Sequence, residues 1–224
     1  SKDGLRVDDR AAEPVMFPDT SLISRHFEWE GGTEDPRVVE AEVDGRPLYV
    51  MTYTAWNRYK FRLSIATSRD LHHWTHHGPA FRLPLNGLFS DLACKSGSIV
   101  TEVRDGRLQA AKVKINGEEK YLMYWGEEWV CAATSDDLVN WTVVTEPDGT
   151  LKYLARPRKG YFDSRLTECG PPAVKTADGI ILLYNGKNRG GKDGDENYPS
   201  GTYAAGQMLF RNDNPLQLLT RLDK

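Results

Sequence analysis

Two ten-residue stretches of this chain are near-copies of each other, and an internal repeat constrains a fold more than any single motif does. They read IATSRDLHHW at 65–74 and AATSDDLVNW at 132–141, sharing Ala-Thr-Ser, Asp-Leu and Trp in register. Their serines, Ser68 and Ser135, stand 67 positions apart. Another 67 back lies Ser1, where the chain opens SKDGL, again Ser-x-Asp with a leucine behind. Each repeat also carries a strand-like run ending in aromatic residues: PLYVMTYTAW (47–56), KYLMYWGE (120–127) and GIILLYNGK (179–187). Each run follows a glycine turn, VDGR, INGEE or ADG. Short strands between regular turn signals mean antiparallel sheet. Helical periodicity is nearly absent; only PLQLLTRL near the end suits a turn of helix.

Four short strands per repeat of this length is the pattern of a propeller blade. The Ser-x-Asp segments would be turns, and each following Trp would start an outer strand and pack between blades. The expected fold is therefore all-β, a single propeller domain over residues 1–224. The chain holds little more than three such repeats, too few to close a ring with every sheet edge protected. It reads as the middle of a longer propeller.

With 32 acidic against 29 basic residues, the net charge is −3 and the pI about 6.0. Nucleic acid and anionic membrane both call for clustered positive charge, so neither is expected as a partner. The longest apolar runs are strand-sized, far short of a membrane span, and no signal peptide is visible at Ser1. Cys94, Cys131 and Cys169 are an odd, widely spaced set that suits buried free thiols. The HHWTHH run (72–77) lacks Cys or Asp at ligand spacing, so no metal and no cofactor is expected. The NWT sequon at Asn140 lies inside the repeat and reads as coincidence.

Three carboxylates have unusual neighbours. Asp35 lies in GGTEDPR, after two glycines that permit positive φ and before a proline that cannot donate to a ladder. Glu127 lies in MYWGEEW, straight after a hydrophobic strand, and Glu168 in FDSRLTECGPPAV, beside a rigid Gly-Pro-Pro. Loops on a rigid scaffold commonly carry function, although any one of these acids alone would suit a plain turn.

Together these motifs resemble glycoside hydrolase family 130, the β-mannoside phosphorylases and β-1,2-mannosidases. The resemblance rests on WEGGTEDPRVV with YVMTYTAW, ATSRDLHHW, FDSRLTECGPPAV with GIILLYNGKNR, and YAAGQMLFRNDNPLQLLTRLDK. It implies a five-bladed β-propeller with its site in a central funnel, this chain covering the middle three to four blades. It also implies a bacterial protein acting on β-mannoside oligosaccharides; whether its compartment is cytoplasm or periplasm is not legible in the sequence. Asp35 inherits the role of catalytic acid, passing its proton through a sugar hydroxyl in many members, and Arg37 orients it or holds substrate.

Phosphorylase members typically show His-Arg-Pro where this chain has Trp125-Gly126-Glu127, a Lys-containing stretch where it has Leu166 to Gly170, and Tyr-His-Gly where it has Tyr184-Asn185-Gly186. A site that exchanges phosphate ligands for Glu127 and Glu168 repels phosphate and suits deprotonating a water. The expected activity is an inverting β-1,2-mannosidase, with either glutamate as the base. The alternatives are a phosphorylase using the same Asp35 and a non-catalytic glycan-binding propeller. Expected sugar contacts are Tyr53, Asp91, Lys95, Trp125, Arg165, Lys187, Asn188 and Tyr203. KNRGGKDGDENYPSG (187–201), polar and glycine-rich, equally suits a solvated loop. Oligomeric state is not legible.

Overall fold

The computed structural model describes residues 3–223. Apart from one short helix, α1 (Leu22–Phe27), and two 3-10 turns, its regular structure is β-sheet. The first unit is a meander of β1 (Gly32–Val43), β2 (Arg46–Trp56), β3 (Phe61–Ser68) and β4 (Thr75–Pro79), each antiparallel to the next. A second unit comprises β5 (Gly97–Arg104), β6 (Arg107–Ala110), β7 (Lys112–Ile115), β8 (Glu118–Trp125), β9 (Cys131–Ser135) and β10 (Thr142–Val143), with β8 pairing β5, β7 and β9. The third has β11 (Leu166–Cys169) and β12 (Ala173–Lys175) both paired to β13 (Ile180–Lys187), followed by β14 (Tyr203–Phe210) and β15 (Leu218–Arg221). PLQLLTRL is thus strand at its end and not helix.

Two short parallel contacts join the units: β1 meets β6 at Glu40 and Gln109, and β5 meets β12 at Ala173–Val100 and Val174–Thr101. Side-chain hydroxyls reinforce these seams. Thr52 donates to the Gly97 carbonyl at 2.8 Å, Ser98 to that of Gly170 at 2.7 Å, and Thr101 to that of Ala173 at 2.7 Å.

The core lies between the units, because successive strand side chains point to opposite faces. On β8, Met123 joins Val39, Leu63 and Ile65 of the first unit. Its neighbours Leu122 and Tyr124 join Ile180, Leu182 and Phe210 of the third. Each fully buried large apolar side chain here stabilises the fold by about 1.5–3 kcal/mol.

The repeat is one turn made twice. Ser68 Oγ accepts from Leu71 N, and Ser135 Oγ from Leu138 N, both at 2.9 Å. Asp70 Oδ1 caps the amides of His72 and His73, as Asp137 Oδ1 caps those of Val139 and Asn140. Leu71 and Leu138 both have φ 65°. Trp74 and Trp141 both donate Nε1 to that leucine's carbonyl and directly precede β4 and β10. Trp141 is fully buried between the first two units, whereas Trp74 is half-buried beside Met16 and Phe27. Ser1 lies outside the described residues, but Asp3 Oδ1 caps Leu5 N and Arg6 N in the same way, with Gly4 at φ 73°.

Three of the four histidines of the run are paired through their rings. His73 bonds Asp70, His76 bonds Glu28, and His77 bonds Thr67. Asn140 bonds Asp137. All three cysteines are free and buried, and desolvation pushes the thiols of Cys94 and Cys131 up to about 12.

Candidate active site

The motif GGTEDPR opens β1 with a bulge. The β1–β2 register shifts between Glu34 and Arg37, Asp35 has φ 51°, and Pro36 has no N–H to offer the ladder. This irregularity turns Asp35 out of the sheet at the start of the first unit's first strand. In the second unit the equivalent place is held by Lys95 and Ser96, just ahead of β5, and in the third by Glu168 on β11.

Glu127 reaches the same place from the turn between β8 and β9. Gly126 has φ 125°, and a Cβ there would lie 2.0 Å from the Trp129 carbonyl oxygen, so only glycine fits. Its amide donates to the carbonyls of Lys95 and Ser96, and its own carbonyl accepts from Cys169 N at 3.0 Å. Thr167 donates both N–H and Oγ to the Glu128 carbonyl. The Glu127 turn is therefore clamped between the Lys95 and Glu168 strands.

These positions converge on one ammonium. Lys95 Nζ lies 3.4 Å from Glu127 Oε1, 3.8 Å from Asp35 Oδ2 and 3.8 Å from Glu168 Oε1. No two of those oxygens can be more than about 7.6 Å apart, twice the longest of the three distances. Burial disfavours the charge on Lys95, but attraction to Glu127, then to Glu168 and Asp35, outweighs it and raises its pKa. The ammonium thus stays protonated through the neutral range.

Glu168 is the most enclosed of the three acids: Ser96 Oγ donates to its Oε1 at 2.7 Å, and Asn185 Nδ2 lies 3.5 Å from Oε2. Arg37 is mainly a tie. Its Nε donates to the Gly170 carbonyl at 2.7 Å, one terminal nitrogen to that of Cys169 and the other to that of Asp35, each at 3.1 Å. It reaches Glu168 only at 4.0 Å. The cluster sets three carboxyl groups against one ammonium and one more distant guanidinium.

Space opens on two sides of it. A cavity of about 340 Å³ is lined by Glu127 together with Phe61, Trp129, Leu151 and Tyr153. Asp35, Arg37, Pro171 and Asn185 line an open groove. Trp129, edge-on to Tyr153 with ring centroids 4.5 Å apart, is an aromatic wall that sequence reasoning missed, although it stands two residues after Glu127. Ser96 and Asn185 were missed too; only their place beside Lys95 and in the Tyr-x-Gly element pointed to them.

Several expected sugar contacts lie elsewhere. Tyr53 is a correction: it is 1% exposed and its hydroxyl is bound to buried Glu28 at 2.6 Å, because β2 is covered on both faces from Val50 to Ala55. Glu28 also accepts from Ser24 at 2.5 Å and bonds His76 Nδ1 at 2.9 Å. Burial works against the Glu28 charge, yet the hydrogen bonds from His76, Ser24 and Tyr53 hold its pKa below the ordinary value, and Glu28 in turn raises that of His76. Asn188 is a second correction. Fully buried, it takes Ser164 Oγ and Asp195 N on its oxygen and gives its amide to the carbonyls of Asp195 and Tyr198, closing a loop. Trp125 is buried against Phe81, with only an edge at the cavity wall. Asp91 is engaged by Lys60 and Arg62 next to the cavity's Leu92. Lys187 sits 4.6 Å over the Tyr203 ring and forms no ion pair with the three acids, and Arg165 lines a separate pocket.

Residues 1–221 match the model of glycoside hydrolase family 130, described as β-1,4-mannooligosaccharide phosphorylase. A 1,2-β-oligomannan phosphorylase from Thermoanaerobacter sp. (strain X514) is 30% identical over 99% of this chain and 59% of its own length. A crystal structure of a putative glycoside hydrolase from Parabacteroides distasonis ATCC 8503 is 51% identical, with TM-score 0.93 over 100% of this chain and 62% of that one. Another solved structure, from work on how this family of mannoside phosphorylases contains hydrolases targeting β-1,2 mannosidic linkages in Candida mannan, is 55% identical, with TM-score 0.86 over 94% of this chain and 56% of that one. The chain thus spans about three-fifths of the length of these relatives. With the family model matched from residue 1 to 221, the chain belongs to glycoside hydrolase family 130.

Proposed function

We propose that the chain is the greater part of an inverting β-1,2-mannosidase built as a five-bladed propeller, of which the three meanders are blades. The reading is carried by one observation: Lys95, the cation at the centre of the site, is already shared among three carboxylates. An incoming phosphate finds no free ammonium there and meets the Glu127 and Glu168 carboxylates. At an effective dielectric near 20, two like charges about 4 Å apart repel by roughly 4 kcal/mol before screening. Water meets no such barrier and gains a base.

In this mechanism Asp35 gives its proton to the departing glycosidic oxygen, directly or through a sugar hydroxyl. Glu127 and Glu168 hold and deprotonate the attacking water on the opposite face of the ring. Inverting enzymes keep acid and base about 6.5–9.5 Å apart to admit that water, and the upper bound on the carboxylate separations reaches into that range. Trp129 and Tyr153 offer aromatic faces to the glycan beside Glu127. The 55%-identical relative associated with β-1,2-mannoside hydrolysis supports the linkage.

The second reading is phosphorolysis, favoured by the 30%-identical oligomannan phosphorylase. Incubating the protein with β-1,2-mannobiose, with and without inorganic phosphate, separates the two. Hydrolysis gives mannose alone in both, first released as the α anomer by NMR; mannose 1-phosphate formed in the phosphate arm overturns it.

A further inference from the structure

Next to the carboxylate cluster the charge reverses. A separate pocket of about 640 Å³ is lined by Arg156, Arg165 and Arg189 with Glu128, Trp129 and Pro157. The arginines come from three places: the loop before β11, the residue directly ahead of it, and the end of β13. The backbone brings the last two together, since Arg165 N donates to the Lys187 carbonyl at 2.9 Å.

Elsewhere in the chain many cations are neutralised by neighbours. Arg158 and Arg221 share Asp163, Arg211 pairs with Asp213, and Lys60 and Arg62 share Asp91. Among the described residues none of the three pocket arginines has a carboxylate within ion-pair distance. Asp193, whose charge Arg189 feels, is itself paired with Lys159 at 2.8 Å. The pocket therefore carries three guanidiniums against one carboxylate, Glu128, in a chain whose net charge is −3.

The arginines are also partly organised in advance. Arg156 lies 4.7 Å over the Tyr153 ring and 5.5 Å over that of Trp129, which fixes its plane and leaves its N–H edges free. Guanidinium forks match the paired oxygens of phosphate and carboxylate. Glu128 and Trp129 line both this pocket and the Glu127 cavity. Arg165 is three residues from Glu168, about 10 Å along the backbone and on the opposite face of β11, so the pocket communicates with the carboxylate site through the shared Glu128 and Trp129 wall.

We infer that this pocket is an oxyanion subsite, holding an acidic substituent, a phosphate ester, on a glycan whose neutral part lies at the carboxylates. The inference rests on the proposed glycosidase reading for the glycan but not for the anion. Free inorganic phosphate is the other source of the same chemistry.

Calorimetric titration of this protein with mannose 6-phosphate, inorganic phosphate and mannose tests it. The expected order is mannose 6-phosphate tightest, inorganic phosphate weaker and mannose weakest. Arg165→Gln and Arg189→Gln should each weaken mannose 6-phosphate binding about tenfold or more, the usual loss for a hydrogen bond to a charged group. Arg165→Lys, which keeps the charge but not the fork, should recover only part of it. Equal binding of inorganic phosphate and mannose 6-phosphate overturns the glycan assignment and gives the pocket to free phosphate. Binding unchanged in both Gln variants, or absent in the parent, overturns the subsite itself. Parallel assays on neutral β-1,2-mannobiose keep the two readings apart, because the Arg189→Gln variant should cleave it at the parent rate. Loss of that cleavage in the parent would sink the glycosidase reading alone.

Discussion

Ser96 Oγ donates to Glu168 Oε1 at 2.7 Å, joining the residue ahead of β5 to the third unit's candidate base. The same carboxylate oxygen faces Lys95. Two adjacent residues thus aim one acid, one by hydrogen bond and one by charge. The site is built across unit boundaries, and single changes in it should separate aim from chemistry.

Replacing Glu127 or Glu168 with Gln should lower kcat on β-1,2-mannobiose by about 10²–10⁴, the range for losing general-base help. Asp35→Asn should cost at least as much, since the leaving oxygen loses its proton source. Steady-state kinetics, with circular dichroism to verify folding, checks this; an Asp35→Asn enzyme of normal kcat would remove the assigned acid.

Lys95→Met should do something different. Three carboxylates then crowd together without their cation, so protons bind them more readily. The acid limb of the pH–rate profile should move to higher pH, and residual activity should be best on the alkaline side. A profile that only shrinks, with limbs unmoved, would argue that Lys95 binds sugar and does not set the charge.

The Glu28–His76 pair predicts a pH window for stability. His76 has its pKa raised above 6.5, so its contribution is complete below about 6.5 and is lost as pH rises through its folded value. Glu28 has its pKa lowered below 4.5, so its contribution is complete above about 4.5 and is lost as pH falls through its folded value. The pair therefore stabilises most between those limits. In thermal melts from pH 4 to 9, His76→Gln should lower Tm at pH 5.5–6 and flatten the decline on the alkaline side.

Trp141→Ala should cost about 3–5 kcal/mol, as expected for a fully buried aromatic side chain. The repeat-equivalent Trp74→Ala should cost clearly less, because that ring is only half-buried. Urea unfolding of both variants measures the difference, and equal costs would contradict the packing described here.

The repeat was legible because its turn is made by short-range bonds. Ser68, Asp70 and Leu71 write in local sequence what Ser135, Asp137 and Leu138 write again. Asp35 stood out for a similar reason, a bulge announced by Gly31-Gly32 and Pro36. Tyr53 was misjudged because β2 is buried on both faces, so alternation gave no inward or outward side. Asn188 was misjudged because a glycine-rich polar loop reads as solvated, whereas its buried amide gathers that loop from within. The three pocket arginines lie 33 positions apart at the extremes and carry no shared motif. Only β11–β13 pairing brings two of them side by side.

Arg37 is more than a neighbour of the candidate acid. One guanidinium binds the Asp35 carbonyl and, 132 and 133 residues on, the carbonyls of Cys169 and Gly170 that follow Glu168. It acts as a gauge block between Asp35 and Glu168. Under the proposed mechanism, the length of that single side chain sets how large a nucleophile can stand between acid and base. A family that admits either water or phosphate could tune that choice by adjusting this spacer, leaving the acid itself untouched.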